Sequence, residues 1–169
     1  MPLLLAAGIV IAVIAWMFFV RKEPLASQPE TAQTTTQPKP PEASQEPTAA
    51  EKILEGYADP ATPPIDDLRK IHRVTSGYFS VVKDASRFPI GGNADLAAAL
   101  RGENPNREVF VRDGNPIFSG DGLIIDRWGS PVIVHPEGWK QIELRSAGPD
   151  KTAYTADDLV LAASGAASN

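Results

Sequence analysis

Residues 2–20 (PLLLAAGIVIAVIAWMFFV) contain no charged, amide, acid or hydroxyl side chain. As a helix this run would rise about 28 Å at about 1.5 Å per residue, close to the roughly 30 Å hydrocarbon thickness of a bilayer. Trp16, Phe18 and Phe19 stand near one end, where aromatic rings favour the membrane interface, and Arg21-Lys22 stop the run. The pattern predicts a transmembrane anchor over 1–22. It removes these residues from any soluble core and makes the rest of the chain fold beside a membrane. A cleaved secretory signal is the competing reading and fits less well, because no basic region precedes the run and it is long for a signal core. With no cysteine in the chain, a lipoprotein signal is excluded.

From Glu23 to Ala50 the chain is mostly Pro, Thr, Gln, Ser, Ala and Glu, with prolines at 24, 29, 38, 40, 41 and 47. Proline removes backbone donors, and the stretch has too little apolar surface to offset the entropy of ordering. A disordered linker over 23–50 is expected. Its end-to-end distance would be about 30 Å if flexible, and more with the prolines. The remainder, 51–169, is the expected folded domain. It holds 17 acidic and 13 basic residues, so its net charge is about −4. That balance argues against nucleic acid as a partner, since phosphate binding needs a basic face.

Within the domain, Ala50–Gly56 reads as a short helical turn. Thr62 reads as an N-cap, followed by Pro63-Pro64 in the first turn and by Asp66 and Asp67 near the positive end of the helix dipole. Apolar residues at 65, 68, 71, 74, 78, 81 and 82 then step by threes and fours, which predicts one long helix reaching about Asp84. Asn93 is expected to cap a second helix, 94–101, stopped by Gly102. After that the pattern turns to strands at 108–112, 123–126, 132–135 and 140–145. The expected class is α+β: a long N-terminal domain helix packed on a small antiparallel sheet.

Near the end of the chain, Asp150, Asp157 and Asp158 fall at the two ends of one loop. Carboxylates so spaced repel one another unless something positive stands between them. Oxygen is the only good ligand atom on offer, so the loop suggests a hard cation. A solvated acidic turn, with Asp157 capping a short terminal element, is the alternative. The loop is not an EF-hand, because 150–161 lacks the central glycine and the final glutamate.

Asp126-Arg127-Trp128-Gly129-Ser130-Pro131 followed by Ser146-Ala147-Gly148-Pro149-Asp150 and Asp157-Asp158-Leu159 resembles the major pseudopilin family of bacterial type II secretion systems. The likeness spans roughly 65–161. It implies a pilin-like fold, structural Ca²⁺ held by Asp150, Asp157 and Asp158 with nearby backbone carbonyls, and a packing role for Trp128. It also implies secretion-system or other envelope proteins as partners, self-association, and a bacterial inner-membrane location with the domain in the periplasm. The departure is at the N-terminus. The family's prepilin peptidase site, with its Phe-Thr-Leu-hydrophobic-Glu run, is not found, and proline-rich chain separates the anchor from the domain helix. Arg21-Lys22 alone would favour a cytoplasmic domain. The only histidines, His72 and His135, are far apart, and no nucleophile motif or phosphate loop is present, so no enzymatic role is expected. Two readings stay open: a tethered pseudopilin-like structural or interaction protein, or a stand-alone Ca²⁺-dependent envelope binding module on a stalk.

Overall fold

In the computed structural model the described residues are 46–84 and 89–168. The expected anchor and most of the expected linker lie outside them. No helix among the described residues is long and apolar enough to cross a membrane.

The folded domain starts earlier than residue 51. Thr48 caps helix α1 (Ala49–Ile53) with a reciprocal capping box. Its Oγ1 accepts from Glu51 N at 3.1 Å, and Glu51 Oε2 accepts from Thr48 N at 2.9 Å. The same hydroxyl donates to the Phe110 carbonyl. Ala50 and Leu54 are buried in the core. The expected linker boundary at 50 is therefore corrected: Thr48 and the two residues after it belong to the fold.

Helix α2 spans Ile65–Val81 and carries the expected stripe, with Leu68, Ile71, Val74 and Tyr78 buried. Its ends differ from expectation. The N-cap is Pro64, with no side-chain cap, and the helix stops three residues before Asp84. It is also not the N-terminal element of the domain, because α1 precedes it. Helix α3 spans Asn93–Leu100 and buries Leu96, Ala97, Ala99 and Leu100. Asn93 is not its side-chain cap. The amide instead ties two extended segments together: Nδ2 donates to Ile124 O at 2.8 Å and Val132 O at 2.6 Å, and Oδ1 accepts from Ile124 N at 2.8 Å. A half-buried amide making three hydrogen bonds outweighs one cap bond.

The sheet has four antiparallel strands in sequential order: β1 (Ile133–Gly138), β2 (Gln141–Ser146), β3 (Leu159–Leu161) and β4 (Ala167–Ser168). Helix α2 packs against β2 and β3. Leu144, Ile142, Val134 and Leu161 join the α2 stripe in one core. The class is thus α+β with a small antiparallel sheet.

Two expected strands do not join a ladder. Residues 123–126 form only single bridges, Phe118 with Ile124 and Ile125 with Pro131. Residues 108–112 run beside α3 instead, where Phe110 N and Val111 N both donate to Leu100 O. Strands β3 and β4 were not expected, since three and two residues are too few to show alternation.

Candidate functional site

Asp126 organises the turn that follows it. Only 4 % exposed, it accepts from Ser130 N at 2.8 Å and Trp128 N at 3.0 Å through Oδ1. Gly129 completes the turn at φ +84°, in the left-handed region that suits glycine. The other oxygen, Oδ2, accepts from Ser146 Oγ at 2.6 Å, and Ser146 Oγ accepts in turn from Gly148 N at 3.2 Å. The Asp126 carboxylate therefore joins the turn to the start of the acidic loop. Trp128 is half-buried, while its backbone N–H is held by Asp126.

Arg127 faces the other way, towards α2. Its Nε donates to Asp67 Oδ2 at 2.8 Å and its Nη1 to Thr62 O at 3.0 Å. Asp67 also accepts from Ala58 N at 3.0 Å. The side chains of Arg127 and Asp67 are 11 % and 3 % exposed, so the ion pair is buried. Tyr57 donates its hydroxyl to Ile125 O at 2.5 Å beside this pair. Burial, then the Asp67 and Asp126 charges, push the Tyr57 phenol well above its ordinary range, so it remains a donor. Sequence reading gave Asp67 a helix-dipole role and no partner. The partner lies 60 residues away, and nothing local signals it.

The acidic loop closes with donors of its own. Asp150 Oδ1 accepts from Thr152 N at 2.7 Å, and Asp157 Oδ2 from Asp150 N at 3.1 Å. Asp158 Oδ2 accepts from Tyr154 N at 2.7 Å and from Arg145 Nη1 at 2.8 Å. Asp158 Oδ1 lies 3.4 Å from Thr155 N. Thr155 Oγ1 stands among the acids, 2.6 Å from Asp157 Oδ1, 3.1 Å from Asp150 Oδ2 and 3.5 Å from Asp158 Oδ1. Positive φ values at Gly148, Lys151 and Tyr154 (67°, 60° and 70°) curl the backbone around these carboxylates. Such a curl presents successive N–H groups to anions. The Thr155 hydroxyl and then the Asp150 amide hold Asp157 below the usual carboxylate range. Burial opposes ionisation of Asp158, but Arg145 and the Tyr154 and Thr155 amides outweigh it and hold that group low as well.

The donor set bears on the expected Ca²⁺ at Asp150, Asp157 and Asp158. Their oxygens do approach one point, but a hydroxyl fills it. Asp158 is 3 % exposed and engaged by a guanidinium. No group of three or more His, Cys, Asp or Glu side chains among the described residues is placed to hold a metal. As folded, the three carboxylates are engaged by the Thr155 hydroxyl, by backbone N–H groups and by Arg145. What sequence reading missed is Arg145, which it placed only as the last residue of the expected strand 140–145.

Elsewhere, an open depression of about 810 Å³ is lined by Glu51, Lys52, Glu55, Tyr57, Arg112 and Asn115. It contains no nucleophile and base pair, and Glu51 there is held by Arg112 at 2.5 Å. His72 Nε2 sits 3.1 Å from Ala163 O, and His135 is exposed on β1. No protein-family model, curated protein or solved structure matches this chain.

Proposed function

We propose that this chain is a membrane-tethered, pseudopilin-like structural or interaction protein associated with type II secretion or a related envelope machine. In this reading residues 2–20 span the inner membrane, the proline-rich stretch is a stalk, and the α+β domain stands in the periplasm and acts through protein contacts. The observation that supports it is the Asp126 turn. One buried carboxylate ties Trp128, Ser130 and Ser146 together, which gives a physical reason for the two sequence blocks to occur in this order. The test is co-purification from envelope fractions with the secretion platform present or deleted. Capture of platform proteins that vanishes with the deletion supports the proposal. Identical capture in both strains would rule out the association.

A second reading is a stand-alone envelope module on the same stalk. It is favoured by how completely the α2 stripe is covered. Leu68, Ile71, Val74, Tyr78 and Val82 are buried, and Val81, at 44 % exposed, is the stripe residue left open. A subunit that packs through this stripe would keep more of it free. The co-purification experiment separates the two readings.

A further inference from the structure

We infer that Arg145 is the built-in counter-ion of the acidic loop, so that the loop closes without a divalent metal. The loop brings three carboxylates to one hydroxyl, and unscreened they would drive it open. Arg145 reaches it from β2, whose pairing with β3 sets residue 145 opposite Val160. Its Nη1 lies 2.8 Å from Asp158 Oδ2. Its guanidinium carbon lies 5.0 Å from the centroid of the Tyr154 ring, which covers it from the loop side. Tyr154 adopts φ +70° and sends its own N–H to the same carboxylate oxygen. A single loop residue thus shields the guanidinium with its ring and helps solvate the acid with its amide. The arrangement is inexpensive for Arg145, because guanidinium is weakly hydrated and stacks well on aromatic faces. It makes Asp158 a poor metal ligand, since an incoming ion would have to displace a charge already in place. The remaining acids, Asp150 and Asp157, are met by backbone N–H groups and the Thr155 hydroxyl.

Convergence of three acids is also what a Ca²⁺ loop requires, so the test titrates the metal against the arginine. Thermal unfolding of the full chain in detergent is followed in EDTA and in millimolar Ca²⁺, for the wild type, Arg145→Gln and the pair Arg145→Gln with Asp158→Asn. The wild-type midpoint is expected to be the same in both solutions. Arg145→Gln is expected to unfold about 10 °C lower in EDTA, the scale for stranding a buried charge in a domain of this size. Removing the stranded charge with Asp158→Asn should recover more than half of that loss. This last readout distinguishes a counter-ion from a side chain that merely packs. A clear rise of the wild-type midpoint with Ca²⁺ overturns the inference, because it means an ion resides in the loop. So does an Arg145→Gln variant as stable as wild type in EDTA, or a double variant that recovers nothing. If the single variant does not fold at all, the double variant decides: folding supports the inference and failure overturns it.

Discussion

Ser146 donates its hydroxyl to Asp126 at 2.6 Å, across 20 residues of chain and inside the core. This bond links the Asp126 turn to the acidic loop, and Arg127, next in sequence, links the same turn to the first turn of α2. A short segment therefore ties the acidic loop and the first turn of α2 to one turn. Ser146→Ala leaves one oxygen of a buried carboxylate without its donor. The expected loss is about 1–3 kcal/mol, read from denaturant unfolding, and Ser146→Thr should retain part of it. No loss in the alanine variant would mean that the bond contributes nothing.

The Asp67–Arg127 pair gives a larger effect. Both side chains are nearly covered, so Arg127→Met strands a carboxylate in the core at a cost of about 3–5 kcal/mol. Replacing both partners with apolar residues should cost much less, because the desolvation of the pair is then also avoided. A double-mutant cycle measures the difference. Additive losses would show that the two charges do not interact.

Glu51 provides the pH dependence. Its carboxyl is pulled from 4.5 to about 2, first by the side-chain bond from Arg112, against burial, with help from the Arg112 and Thr48 amides and the Arg112 charge. The folded value lies below the unfolded one. The stabilisation is therefore complete above about pH 4.5 and is lost as pH falls towards 2. Its size is on the order of 1–3 kcal/mol, reduced by the partial exposure of Arg112. Glu51→Gln should flatten the stability profile over that window. A profile identical to wild type would refute the assignment.

Two glycines with similar backbone angles should behave differently. Gly148 at φ +67° would place a new Cβ 2.5 Å from Asp157 O, whereas Gly129 at φ +84° has nothing within 4 Å. Gly129→Ala should cost only the backbone strain, about 1–2 kcal/mol. Gly148→Ala should cost clearly more and should loosen residues 148–158 in hydrogen exchange. Equal losses would mean the contact at Asp157 relaxes freely.

The helical parts of this fold were legible because they repeat. The stripe of α2 shows four times over in its buried residues, and Leu96 and Leu100 mark α3. The capping box at Thr48 was also written in the chain, as Thr48-Ala49-Ala50-Glu51, but the surrounding prolines made the segment look like linker. What could not be read were pairings between distant side chains. Asn93 has the composition of a cap, yet its partners at 124 and 132 exist only in three dimensions. The acidic loop was recognised as needing positive charge, and the need is real. The charge that meets it is Arg145, supplied by a neighbouring strand 13 residues before Asp158.

Both readings of function rest on one claim, that the domain stands outside the cytoplasm on an N-terminal anchor. Protease accessibility of the full chain in spheroplasts tests it most directly. The account predicts that protease added outside cuts the proline-rich stretch and releases a stable fragment containing 46–168. A domain that stays protected until the membrane is opened would contradict it.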